Sequence, residues 1–291
     1  MFYNDKIERL YVVNGLARSG NHLFLSWLIS GFDGDQVYYL NNIKPTYHGL
    51  IGNKKLNLER IINYHTVCSD NKYGQKLNNN ININLVKQRD MNDFLMGKSK
   101  KKIKVLILSM ENKKVKRIDQ IAGLFKNTNK IYKCIVLRDI LNLFSSRIES
   151  EKALDRKENY YETDKETIRY WIDNYEHIAE KKYVVFNYNK FLCFDSSRKL
   201  LSKKLNLNYK KTKITFNKYG LTQGSSFKDE GKKDKTLYFL RWIKNKDNEL
   251  IKYLLNDEII LSILCEDFSM CLNLDKKIAL LCKKIKKELL I

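Results

Sequence analysis

The sequence predicts an α/β domain: a three-layer sandwich with a central, mostly parallel sheet of about five strands and helices on both faces. Three observations predict it. Short apolar runs alternate with helix-length segments along the chain. Those runs lack the in–out alternation of a half-exposed strand, so they read as strands covered on both sides. Two of them end in segments that carry small polar and basic residues, at the strand ends where such sheets bind ligands.

Each element follows in order. The first strand, 9–14, is built on Leu10-Tyr11-Val12-Val13. A turn, Gly15-Leu16-Ala17-Arg18-Ser19-Gly20-Asn21-His22, leads into a helix over 20–31. A second strand is expected at 36–40. Residues 53–102 are polar and Asn-rich, with Asn78-Asn79-Asn80, and read as a variable, partly helical insertion. Val105-Leu106-Ile107-Leu108 marks a strand at 103–109, and Ile135-Val136-Leu137 one at 132–137. Helices are expected at 139–152 and 164–181, and a strand at 183–187. Phe186 to Phe191 reads as a strand end and helix start with a structural role rather than a site. Further helices are expected at 195–205, 234–255, 257–264 and 275–289. In the last, Ile278, Leu281, Ile285 and Leu289 share one face and lysines cover the rest. That pattern suits docking on the domain, with attachment to a membrane surface as the alternative. No repeat or linker is visible, so residues 1–291 read as one domain.

Composition narrows the class. The 291 residues can bury a sizeable core. The formal charge of +22 would suit a nucleic-acid binder. However, the lysines are spread over the whole length, and the Lys, Asn and Ile bias with a single Pro suits a compositionally biased genome. No nucleic-acid partner is therefore expected. Cys68, Cys134, Cys193, Cys265, Cys271 and Cys282 form no C-x-x-C pair and no metal spacing with the four histidines. They read as reduced thiols of a cytoplasmic protein. No run reaches the about 18 apolar residues of a membrane span. The first residues do not form a signal peptide, so a soluble enzyme is expected.

Two segments carry chemistry. Gly15-x4-Gly20 places a glycine turn between a strand and a helix, a geometry that aims backbone N–H groups at an anion. After Gly20, a nucleotide-triphosphate loop needs Lys and Ser/Thr for the γ-phosphate and Mg²⁺. Asn21 and His22 stand there instead, and the cation comes earlier, at Arg18. This loop suits a phosphate held without a metal. In the second segment, Arg138 ends a strand and Ser146 lies two helical turns beyond it. A guanidinium can give a phosphate two parallel hydrogen bonds. Alternatively, Arg138 pairs with Asp139 or a neighbouring carboxylate, and Ser146 is an ordinary helix residue.

Arg18-Ser19-Gly20-Asn21-His22, together with Arg138 and Ser146, resembles the sulfotransferases that use 3'-phosphoadenosine 5'-phosphosulfate (PAPS). The likeness spans roughly residues 9–270 but is specific only at these motifs. It implies a P-loop-like turn, Arg18 to His22, on the 5'-phosphosulfate, and Arg138 and Ser146 on the 3'-phosphate. It also implies a late glycine-containing loop on that phosphate, for which Gly224, Ser225, Ser226 and Lys228 are the candidates. The family's Arg-Lys-Gly order is absent there, and a plain surface loop is the alternative. No metal is implied. The implied base follows the strand at 103–109, where Glu111 is the nearest candidate. Alternatively Glu111 pairs locally with Lys113 or Lys114. His48 could face the acceptor, and His22 could bind phosphosulfate. His65 and His177 read as surface residues. Arg18 would stabilise charge on the leaving phosphate. The expected reaction is in-line transfer of a sulfuryl group to a hydroxyl or amine, with a carbohydrate or glycolipid acceptor weakly favoured by Glu111. The rivals are a P-loop kinase for a small molecule and a non-catalytic nucleic-acid-binding protein.

Overall fold

Leu10 to Gly15 are six consecutive buried residues, and they form the centre of the sheet. The computed structural model describes residues 7–32, 37–40, 44–45, 62–63, 103–125, 128–154, 161–209 and 241–264. Its strands are β1 (Ile7–Gly15), β2 (Val37–Leu40), β3 (Lys44–Pro45), β4 (Ile62–Asn63), β5 (Ile103–Glu111), β6 (Lys130–Leu137) and β7 (Tyr183–Asn187). The main sheet runs β2-β5-β1-β6-β7, with every neighbouring pair parallel. Its body is four strands, β5, β1, β6 and β7. Of the strand expected at 36–40, Val37–Leu40 is described and pairs at the outer edge, on β5. β3 and β4 form a separate two-residue antiparallel pair.

Successive residues of a strand face opposite sides. In β1, Leu10 and Val12 join one core with Leu106, Leu108 and Ile135. Tyr11 and Val13 join a second core with Val105, Ile107 and Cys134. The first core is closed by α2 (Lys116–Leu124), α3 (Ile140–Leu154), α4 (Tyr161–Glu176) and α7 (Glu249–Asn256). The second is closed by α1 (Asn21–Ser30), α5 (Tyr188–Cys193) and α6 (Asp195–Lys204). Helices therefore cover both faces. Aromatic rings fill the second core, where Phe24 packs on Phe186 and Trp27 meets Phe191 edge-on.

The structure corrects several expected boundaries. The helix expected at 164–181 ends at Glu176, in a turn where His177 bonds through Nδ1 with the Asp173 carbonyl oxygen and is half-buried. The helix expected at 234–255 is broken among its described residues. Arg241–Asn245 is a 3-10 helix, and α7 starts afresh where the Asn248 side chain accepts from the Leu250 N–H. The next helical stretch, 258–264, is capped by Asp257, which accepts from the Ile260 N–H. The helix Lys116–Leu124 was not among the expected ones, whereas the helix start expected within Phe186 to Phe191 is the start of Tyr188–Cys193. The insertion at 53–102 and the helix at 275–289 lie outside the described residues, apart from Ile62–Asn63.

Connections leave the sheet in opposite senses at one point. The chain leaves β1 through α1 on one face towards β2 at the far edge. It leaves β6 through α3 on the other face towards β7 at the opposite edge. The carboxyl ends of β1 and β6 therefore lie at a topological switch point, where open α/β sheets bind ligands in a crevice. Gly15 and Val136 are register partners at its floor, and Glu111 lies beside Gly15 on the other flank.

Candidate functional site

The turn after β1 is shaped by its own buried polar groups. The Ser19 N–H donates to the Leu16 carbonyl at 2.9 Å. The Ser19 hydroxyl donates to Asn21 Oδ1 at 3.2 Å, and Asn21 Nδ2 donates to the Leu16 carbonyl and to Glu111 Oε1 at 3.1 Å. Ser19 and Asn21 are both buried. A side chain at Gly15 would collide with this fold-back, since an added Cβ would lie 2.0 Å from Asn21 Oδ1. The Ser19 and Asn21 side chains expected to bind an anion thus hold the turn itself.

Two residues of the turn are left-handed, Arg18 at φ 71° and Gly20 at φ 101°. Gly20 caps α1 and supplies no side-chain acceptor to its first-turn amides. The helix therefore presents its positive end with no side-chain oxygen from the cap. A Cβ on Gly20 would lie 2.4 Å from Cδ2 of the Tyr188 ring.

Arg138 closes the other side of the crevice. It follows β6, is 5 % exposed, and its Nη1 donates to the Arg18 carbonyl at 2.9 Å. Its guanidinium stacks on the Tyr188 ring, 4.7 Å from the centroid. Its Nε and Nη2 have no hydrogen-bond partner among the described residues. The expected alternative, pairing with Asp139, does not occur. Asp139 Oδ1 accepts from the Asn142 N–H and Nδ2, and Oδ2 accepts from Asn189 Nδ2 at 2.9 Å. A buried guanidinium with two unused donors is costly, because desolvation is not repaid by hydrogen bonds.

The remaining charges gather on the same turn. Burial lowers the Arg18 pKa, with the Glu111 carboxylate pulling it up and Arg138 pushing it down. Burial likewise holds His22 below the ordinary histidine value, against an upward pull from Glu111 and with a downward push from Arg18. The buried His22 Nδ1 has no hydrogen-bond partner among the described residues. Glu111 is half-buried and makes no ion pair with Lys113 or Lys114 among the described residues. Ser146 is buried on α3.

Arg18, Ser19, Gly20, Asn21, His22, Glu111 and Arg138 thus meet at one crevice. His48, Gly224, Ser225, Ser226 and Lys228, and the competing His65, lie outside the described residues. Four further residues belong to the site. Tyr188 and Asn189, expected to be structural only, pack against Gly20, Arg138 and Asp139. Asn112 Oδ1 accepts from the Ala17 N–H at 2.9 Å, and its own N–H donates to the Gly15 carbonyl. Arg147 reaches the same turn, with Nε to the Ala17 carbonyl and Nη2 to Asn112 Oδ1, each at 3.4 Å. Asn112 sits at φ 53°, a conformation Asn tolerates better than most residues and the one sequence signal that could have pointed to it.

Among the described residues no cluster of three His, Cys, Asp or Glu side chains is arranged to hold a metal ion. Comparison with known proteins finds no matching family model and no matching curated protein.

Proposed function

We propose that the protein is a PAPS-dependent sulfotransferase, with the crevice between β1 and β6 as its anion site. The observation that carries this reading is Arg138: a buried cation with Nε and Nη2 unpartnered, beside a helix N-terminus that lacks a side-chain cap. A ligand with two phosphate groups would satisfy both needs, one group on the two Arg138 nitrogens and the other at the α1 N-terminus. Under this reading Arg18 to His22 form a P-loop-like turn on the 5'-phosphosulfate, through backbone N–H groups and the Arg18 charge. Arg138, with Ser146, takes the 3'-phosphate. PAPS supplies the sulfuryl group, which passes to a hydroxyl or amine acceptor, with carbohydrate or glycolipid as the proposed class.

Glu111 and His22 are the described candidates for moving the acceptor proton. Glu111 accepts one hydrogen bond, from Asn21 on Oε1, while burial and the Arg18 charge disfavour a proton on the His22 ring. The reading needs no metal. The carboxylate that follows β6, Asp139, has both oxygens engaged by amides, unlike the carboxylate a nucleotide-bound Mg²⁺ would need. No helix among the described residues is long and apolar enough to cross a membrane. A cytoplasmic location is part of the proposal and suits the free, buried Cys134.

Calorimetric titration with 3'-phosphoadenosine 5'-phosphate, against ATP with Mg²⁺, tests this. Binding of the first without metal, lost in Arg138→Ala, is expected. Preference for ATP with Mg²⁺ would make the protein a kinase, and binding of neither would remove the anion site.

A further inference from the structure

Arg138 and Asp139 are adjacent in sequence and opposite in charge, yet they are not paired. Two amides account for this. Asn142 occupies Asp139 Oδ1 from its N–H at 2.8 Å and its Nδ2 at 2.9 Å. Asn189, from α5 beyond β7, occupies Oδ2. Asp139, Asn142 and Asn189 are all buried, at 2 %, 0 % and 2 % exposure. The Asn142 contacts are local to the start of α3, where Asp139 serves as an N-terminal cap. The Asn189 contact is not local. It spans 50 residues and joins two elements that flank Arg138.

We propose that Asn189 is a positioning residue: by engaging Asp139 Oδ2 it keeps that carboxylate off Arg138 and leaves the guanidinium available to an anionic ligand. The proposal rests on Arg138 being the anion site. Without an Oδ2 partner, Asp139 would face a buried cation with two unused nitrogens. In a poorly solvated crevice that attraction outweighs a weak rearrangement of the carboxyl. An internal carboxylate on Arg138 would then compete with the ligand for the same donors. Tyr188 completes the arrangement, since it precedes Asn189 and its ring carries the guanidinium. One short segment, Tyr188-Asn189, therefore sets both the plane of Arg138 and the partner of its rival.

The test is a three-variant titration with 3'-phosphoadenosine 5'-phosphate. Asn189→Ala is expected to weaken binding about tenfold, about 1.4 kcal/mol. Asn189→Ala with Asp139→Asn is expected to regain most of it, because the competing charge is gone. A purely structural Asn189 would make the double variant no better than the single one, and that result overturns the proposal. Asp139→Asn alone, which keeps an acceptor for the α3 amides, is expected to bind as well as or better than wild type. A fall of tenfold in this variant also overturns the proposal, even if Asn189→Ala fails to fold. A crystal structure of Asn189→Ala without ligand reads the switch directly. Asp139 on the Arg138 guanidinium supports it, and Asp139 unmoved overturns it. Failure of the wild type to bind the nucleotide, with the crystal switch present, would instead sink the sulfotransferase reading alone.

Discussion

Arg138 Nη1 donates to the backbone carbonyl of Arg18, 120 residues earlier in the chain. The bond ties two sequence motifs into one crevice, and it leaves the working end of the guanidinium unspent. It also helps fix Arg18 in a left-handed conformation that costs a non-glycine residue about 1–2 kcal/mol.

Arg138 should therefore trade stability against binding. Replacing it with Met removes a buried charge and one hydrogen bond. The unfolding free energy is expected to change by no more than about 1 kcal/mol in urea titration, since removing a half-satisfied buried ion offsets the lost bond. Nucleotide affinity should fall about 100-fold, the worth of two charge-assisted hydrogen bonds. Arg138→Lys should fall between, because an ammonium cannot span Arg18 and a ligand as a planar fork does. Equal affinity for all three proteins would show that Arg138 does not bind the ligand.

Two glycines should respond oppositely to the same change. Gly20 is at φ 101° with the Tyr188 ring against it, so Gly20→Ala is expected to destabilise by more than about 1 kcal/mol. Gly123 lies in α2 with nothing within 4 Å of an added Cβ. Gly123→Ala should stabilise by about 0.5–1 kcal/mol. Thermal unfolding of the pair reads the difference in sign.

Asn112 supplies both a conformation and a hydrogen bond, and two variants separate them. Asn112→Gly keeps the φ of 53° without strain but loses the acceptor for the Ala17 N–H. Asn112→Ala loses the acceptor and adds strain. Denaturant titration should place the Ala variant about 1 kcal/mol below the Gly variant. Equal stabilities would mean that the loop relaxes around the substitution.

Asp139 gives a stability that depends on pH. Burial raises its carboxyl pKa above the ordinary 3.8, although Arg138, Asn189 and Asn142 pull it part of the way back. The unfolded chain then loses this proton at a lower pH than the folded one. Stability falls as pH rises from about 3.8 through the folded value, because the unfolded state binds fewer protons in that window. Asp139→Asn should flatten this dependence, gaining on wild type as pH rises above about 3.8 through the folded value. A constant difference between the two proteins across that range would rule out the linkage.

The sheet was legible because its strands are unbroken apolar runs, and Leu10 to Val13 need no tertiary information to read as buried. The short α2 was missed because Lys116 and Arg117 open it and no side chain caps it. The break at 246–248 was missed because Trp242, Ile243, Leu250 and Ile251 continue an apolar helical pattern across it. Tertiary bonds decide the break: the Trp242 N–H donates to Asn142 Oδ1 and Asn245 Nδ2 to Ser145 Oγ. At the site, glycine spacing and a strand-end arginine were visible as residue types. The inward turn of Ser19 and Asn21 was not, because it depends on the empty space over Gly15. Tyr188 and Asn189 carry no local motif, and only the pairing of β6 with β7 brings them to Arg138.

The strand order has a consequence for how the chain acquires its structure. β1 is the middle strand, yet its first register partner is at Ile103 and its second at Lys130. During synthesis β1 and α1 must wait for about 100 more residues, on the order of 5–20 seconds at ribosomal rates. Through that interval Leu10 to Val13 is an apolar segment with no neighbour to pair with, which is a liability for self-association. High contact order of this kind slows folding. Nascent chains halted before residue 103 should engage chaperones strongly, and those carried past residue 137 should release them.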